Sequence, residues 1–324
     1  MPCETFCTRY VTVQDRFQNF VPAIPLPGQL RFFRAVEKGR NQRTGAFKAV
    51  HLKSRRSGGT TAGLKMILQD LVTTGTTKAA IMLHEEKVTQ RTLANLRAML
   101  DMLPKDIRPE IDGDSADHVS FRDRPAIIFI STARAKGFGA GDDISFFLWS
   151  EVAKVEAAIA SRIVSNVIPA LTPNARVIWD STPDEINGDY YPMLWRRARD
   201  PRSDLIPVFN PWWMVPEYRA GDPNDWEGLG ALWQEEERLK MMGLGADRCW
   251  FRRAKIEELD VTDPEEGGVG EILFDVQYPG DETKCFTGIR GKPYFDPRAM
   301  TAMMARATRG RTVDRWEEPE EKAA

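Results

Sequence analysis

The chain has 324 residues, 42% of them hydrophobic, which allows one large α/β domain with a smaller unit appended. Its 45 basic and 47 acidic residues leave a net charge of -2, which excludes a basic footprint spread over the surface and restricts any nucleic-acid contact to local patches. Cys3, Cys7, Cys249 and Cys285 form neither a disulfide framework nor a metal-ligand spacing, His51, His84 and His118 give no zinc pattern, and with no secretory signal or bilayer-length apolar run the chain reads as soluble and intracellular.

Residues 17–30, aromatic and proline-rich with Pro22, Pro25 and Pro27, read as an extended arm over a core, with a short helix predicted from Gln29 to about Lys38. After a turn at 41–45, residues 47–52 have strand character, 53–61 form a loop rich in glycine and hydroxyls, and Leu64, Ile67, Leu68 and Leu71 share one helix face. The alternation continues with a strand at 79–83 and a helix striped by Leu93, Leu96, Leu100 and Leu103. Strands follow at 126–131, 144–149 and 176–180, with a helix carrying Val155, Ile159, Ile163 and Val167 between the last two. Strands alternating with helices predict a mainly parallel sheet covered on both faces, with ligands at the carboxyl ends of its strands. From about Leu205, Trp212, Trp213, Trp226, Trp233 and Trp250 join acidic helical segments, which predicts a second, smaller unit; packing is the commoner use of such aromatics.

Three strand ends carry candidate chemistry. The run Lys53, Ser54, Arg55, Arg56, Ser57, Gly58, Gly59, Thr60 and Thr61 lies between strand and helix, where glycines let backbone amides wrap a phosphate chain and Thr60 reaches a magnesium ion. The usual lysine before that hydroxyl is replaced by Gly59, and taken alone the run reads equally as a turn before a helix. The apolar strand ending in Ser150 and Glu151 offers a carboxylate to orient the water that attacks a γ-phosphate, or simply a helix-start residue. The third end, Asp180, Ser181, Thr182 and Pro183, is by itself a set of ordinary turn formers.

In this order, with Gln29 upstream and the segment from Phe209 through Trp212 and Tyr218 to Arg219 downstream, these segments resemble the large subunit of tailed-phage terminases from about Gln29 to Phe295. The resemblance implies an α/β P-loop NTPase core of the RecA-like ASCE class, with a smaller lid or linker subdomain. It implies ATP and Mg2+ as cofactors, with a variant Walker A loop whose lysine, Lys53, stands at the loop's beginning and whose basic residue is Arg56. Glu151 becomes the catalytic carboxylate of the Walker B strand, with Ser150 in place of an aspartate and available to hold a metal-bound water. Ser181, Thr182 and Pro183 become the coupling motif, and Gln29 the adenine reader. Arg134 is the candidate arginine finger toward a neighbouring subunit, with Lys136, just before Gly137, as its rival and a surface-loop arginine as the plain reading. Arg196, Arg197 and Arg199 read as a solvated helix face.

The expected organisation is an arm and adenine segment at 1–45, an ATPase core at 46–204, a lid or linker at 205–295 and a tail at 296–324, too short for a nuclease domain. The implied role is a motor that drives double-stranded DNA into a procapsid. Its partners would be the portal and the small terminase subunit, its assembly a pentameric ring, and its place the host cytoplasm at the portal vertex. A helicase-like or repair ATPase and a structural P-loop domain that has lost hydrolysis are the alternatives; Gly59 is the feature that favours the last.

Overall fold

The computed structural model of the chain describes residues 1–15, 17, 19–135, 143–184, 190–260 and 269–286. The chain opens with helix α1 (Cys3–Tyr10), whose Phe6 and Cys7 are buried, and a small antiparallel pair, β1 (Thr12–Gln14) with β2 (Phe20–Pro22). Part of the expected extended arm is therefore regular structure. Helix α2 (Pro27–Gly39) begins on a proline, whose fixed φ and missing N–H suit a first helical position.

The βα alternation then runs as expected: β3 (Phe47–Lys53), α3 (Gly59–Thr74), β4 (Lys78–Leu83) and α4 (Glu86–Asp101). Two short strands that hydrophobic periodicity did not announce, β5 (Ile111–Asp114) and β6 (His118–Phe121), come next. They are followed by β7 (Ile127–Thr132), β8 (Ile144–Ser150), α5 (Ala157–Val167), β9 (Leu171–Ser181), α6 (Tyr190–Ala198) and β10 (Ile206–Asn210). Beyond the sheet lie α7 (Gln234–Met241), α8 (Ala246–Leu259) and α9 (Gly270–Gln277).

Eight strands form one sheet in the order β10-β3-β9-β8-β4-β7-β6-β5, parallel from β10 to β7 and antiparallel at the β6 and β5 edge. A parallel sheet needs apolar cover on both faces, and the central strands meet that need by alternation. In β8, Phe146 and Leu148 join the core made with α2, α3 and α4, while Phe147 and Trp149 join the opposite core made with α5 and α6. Gly63 lets α3 lie close on β8, since a Cβ there would stand 2.6 Å from Leu148 Cδ2.

Just past the boundary expected at 204/205, β10 is an edge strand of the main sheet, hydrogen-bonded to β3, and its Val208 belongs to the first core. A third apolar cluster begins only after it, with Trp212, Tyr218, Phe251 and Phe274 at its centre. Trp212 stacks on Phe251 at 5.6 Å, so the best-buried of these tryptophans is packing. Residues 287–324, including Phe295 and the expected tail, lie outside the described residues, as do Lys136 and Gly137.

Candidate active site

The carboxyl ends of β3, β8 and β9 lie side by side, and three of the sequence's candidate segments meet there. β3 ends on Lys53, which is buried at 4% exposure. Its Nζ donates to Glu151 Oε1 at 2.9 Å and lies 3.7 Å from Asp180 Oδ2. Burial pulls the ammonium's pKa down, but Asp180 and Glu151 outweigh it and the net direction is up.

The glycine at 59 is explained by this lysine. A Cβ on Gly59 would stand 2.6 Å from both Cδ and Cε of Lys53, and closer still to Asp180 Oδ1. The stem of Lys53 and the carboxylate of Asp180 thus fill the space where a side chain at 59 would begin. Lysine at 53 and glycine at 59 are two halves of one steric arrangement. Gly58, at φ +76, turns the chain into α3 through the left-handed region that glycine enters freely. The first amides of α3 have no partner within the helix, as at any helix start, and Gly59, which opens that helix, lies against the stem of Lys53.

Gln29 is buried beneath this turn and uses both ends of its amide within the protein. Its Nε2 donates to the Gly58 carbonyl at 2.8 Å, and its Oε1 accepts from Lys65 Nζ at 3.0 Å and from the Leu26 amide at 3.3 Å. In this structure it supports the loop. Ser54 and Ser57 are buried with no hydrogen-bond partner for their hydroxyls, Thr61 is half-buried, and Arg55 and Arg56 are exposed. Arg55 hooks the loop to the third cluster: its amide donates to the Gln277 carbonyl at 3.1 Å, and its carbonyl accepts from Tyr218 Oη at 2.6 Å.

Glu151 follows β8 with φ +60, a conformation that costs a non-glycine residue about 1–3 kcal/mol and is held only where surroundings impose it. Its amide donates to the Asp180 carbonyl at 2.6 Å. Its carboxylate accepts from Lys53 and, at 3.0 Å, from Thr182 Oγ1, and Lys154 Nζ lies 3.5 Å away. Burial favours the protonated form, but Lys53, then Lys154, and the bonds from Lys53 and Thr182 pull the pKa down to about 2. A carboxylate fixed in this way stays ionised near neutrality and can orient a water by accepting its hydrogen. Ser181 ties the third segment to the second: its hydroxyl accepts from the Ala153 amide at 3.0 Å and donates to the Thr182 carbonyl at 2.7 Å. Pro183 is buried behind them.

Thr60 and Ser150 meet directly, with 2.6 Å between their hydroxyl oxygens, and Ser150 Oγ donates to Asp180 Oδ2 at 3.3 Å. Asp180 has no exposed surface. Its Oδ1 stands 2.9 Å from His51 Nδ1, a close approach not aligned as a hydrogen bond. On the far side of the ring, Asn210 Nδ2 donates to the Gly28 carbonyl at 2.8 Å and lies 2.7 Å from His51 Nε2. An amide nitrogen only donates, so Nε2 accepts and the neutral ring carries its proton on Nδ1, toward Asp180.

Arg134 is not part of this constellation. It is exposed just past the end of β7, and β4 separates β7 from β8. Arg196 and Arg197 are exposed on α6, and Arg199 pairs with Glu282 at 2.9 Å. Sequence reasoning gave no site role of their own to Asp180, His51, Asn210, Tyr218 and Gln277; Asp180 had the clearest local signal, its place directly before Ser181.

No protein-family model matches the chain, and no curated protein matches it. Among solved structures it is similar to the large terminase of bacteriophage HK97, with 15% sequence identity and a TM-score of 0.51, over 75% of this chain and 50% of that one. It is also similar to the ATPase domain of the Thermus phage P74-26 large terminase, with 15% identity and a TM-score of 0.48, over 76% of this chain and 96% of that one. The chain spans about half the length of the HK97 protein. What it shares with the HK97 large terminase is the fold, a mostly parallel, helix-flanked α/β sheet.

Proposed function

We propose that the chain is the ATPase motor domain of a tailed-phage terminase large subunit, hydrolysing ATP with magnesium to drive double-stranded DNA into a procapsid. The observation that carries this reading is the mutual fit of Lys53 and Gly59, with Glu151 accepting from the same lysine and from Thr182. A loop that had lost its chemistry has no reason to keep a buried amine in the volume vacated by a glycine. Lys53 and the amides at the start of α3 bind the phosphates, Glu151 orients the lytic water, and Thr182 holds the glutamate in place.

Among the described residues no cluster of three or more His, Cys, Asp or Glu side chains could hold a metal alone. Magnesium does not require one, because it takes few protein ligands and keeps phosphates and waters in its shell. The Thr60 and Ser150 hydroxyls beside a buried carboxylate suit that donor set. When bound, the ion neutralises charge on the phosphate oxygens.

In the motor, Ser181, Thr182 and Pro183 pass the state of the site onward, and the partners are the portal, the small terminase subunit and four further copies in a ring at the procapsid vertex in the host cytoplasm. Steady-state hydrolysis by the purified chain is the test, with Glu151→Gln as the control that still binds ATP and magnesium while turnover collapses. Stimulation by portal or procapsid supports the motor; stimulation by single-stranded DNA alone would favour a helicase-like ATPase. Absence of both binding and hydrolysis in the intact chain would sink the reading.

A further inference from the structure

Position 150 is serine where the acidic strand of such a site ordinarily brings an aspartate, so the only carboxylate at the end of this strand is that of Glu151, and none stands beside Thr60 at position 150. We propose that Asp180, one strand over, supplies it, acting through Ser150 on Thr60 as the positioning residue of the magnesium site. This rests on the ATPase reading above.

The sheet places the two residues together, because Ser150 and Asp180 are register partners at the ends of parallel β8 and β9. Hydrogen-bond direction then follows from chemistry. A carboxylate only accepts, so the single hydrogen of Ser150 goes to Asp180 Oδ2 at 3.3 Å. Ser150 Oγ must therefore accept from Thr60, whose own hydrogen is committed across the 2.6 Å contact. The lone pairs of Thr60 remain for a cation. Without the carboxylate, the two hydroxyls could point their hydrogens either way, and half of the arrangements would aim one at the ion.

Asp180 is itself fixed. His51 Nδ1 stands at 2.9 Å from one oxygen and Lys53 Nζ at 3.7 Å from the other. Gly59 brings the first turn of α3 directly onto Oδ1. A purely structural Asp180, there to pair Lys53 and His51, would govern stability and the affinity for nucleotide without metal. The positioning role governs the part of nucleotide affinity that magnesium adds.

The experiment titrates a fluorescent ATP analogue into the full chain, once with excess magnesium and once with EDTA, and repeats the metal arm with Mn2+ read by electron paramagnetic resonance. Ser150→Ala breaks the relay while leaving Asp180 with Lys53 and His51. It should bind the analogue in EDTA within about threefold of the wild type and lose about tenfold or more of the magnesium enhancement, the size expected for one charge-linked hydrogen bond. Asp180→Ser should lose the same enhancement, and Ser150→Asp combined with Asp180→Ser, which moves the carboxylate onto β8, should regain most of it and restore the bound Mn2+ signal. Ser150→Ala with a wild-type magnesium enhancement overturns the proposal, whether or not Asp180→Ser folds. So does a folded exchange variant no better than Asp180→Ser. A wild-type chain that binds no nucleotide in either arm overturns the ATPase reading itself, and a metal-dependent wild type with indifferent variants overturns only the role of Asp180.

Discussion

Moving the lysine from position 53 to position 59 tests whether the two positions share one volume. Lys53→Ala leaves the buried Asp180 and the half-buried Glu151 without their common cation, and unpairing a buried charge costs about 3–5 kcal/mol. Gly59→Lys alone forces a Cβ to 2.6 Å from two methylenes of Lys53, an overpacking worth about 1–3 kcal/mol. Were the two effects independent, the double variant would lose about 4–8 kcal/mol, enough to unfold many domains. The shared volume predicts otherwise. With the stem of Lys53 gone, two of the three nearest contacts of the new Cβ are relieved, the approach to Asp180 Oδ1 remains, and the amine can return to the two carboxylates. The double variant should be at least about 2 kcal/mol more stable than the sum of the singles, read by urea denaturation. Affinity for a fluorescent ATP analogue with magnesium should recover to within about tenfold of the wild type, from losses of about 100-fold in Lys53→Ala. A double variant as unstable and as weakly binding as the singles combined would refute the steric exchange.

Three further outcomes are expected. The carboxyl of Glu151, held down from 4.5 to about 2, contributes stability that is fully present above about pH 4.5 and lost as the pH falls toward 2, on the order of 3 kcal/mol in all; urea midpoints measured from about pH 6 downward should show this loss in the wild type and a shallower one in Glu151→Gln. Thr182→Val removes the hydroxyl bonded to Glu151 while keeping the shape, so ATP binding should stay within about twofold and turnover fall by about tenfold or more; unchanged turnover would mean that Thr182 does not orient the glutamate. Arg134→Ala should bind ATP almost normally and hydrolyse it poorly even when assembled at a portal, and mixing it with Glu151→Ala should restore part of the activity; if mixed assemblies stay inactive while Lys136→Ala mixtures recover, the finger is Lys136.

The parts of this molecule legible in its sequence are those whose signal is local. The face made by Leu64, Ile67, Leu68 and Leu71 marked α3, and the apolar strands before Lys53, Glu151 and Ser181 marked the places where loops would meet at one sheet edge. Asp180 was read as a turn former because its meaning comes from a neighbour thirty positions earlier in the chain, through a register set only when β9 inserts between β3 and β8. His51 and Asn210 belong to one buried relay across two strands, which no spacing in the sequence encodes. The polar run Asp112, Gly113 and Asp114 shows no alternation, so β5 exists only through its pairing with β6. Dense tryptophans drew the expected boundary to 205, whereas the chain first adds β10 to the sheet and only then builds the aromatic cluster around Trp212.

The rooting of Lys53 in β3 rather than in α3 bears on how such a loop can change over descent. A lysine at position 59 would ride on the far side of the turn, and every insertion or deletion in the turn would shift it against Glu151. Lys53 instead ends a strand flanked by β9 and β10, and side chains mounted on such rigid elements hold their positions better than those on loops. Residues 54–57 then return the chain to Gly58 without carrying the amine. Ser54, Ser57 and Arg55 stay committed to burial and to the third cluster, while the exposed side chain of Arg56 can be exchanged to suit a neighbouring surface and the amine stays where the sheet holds it.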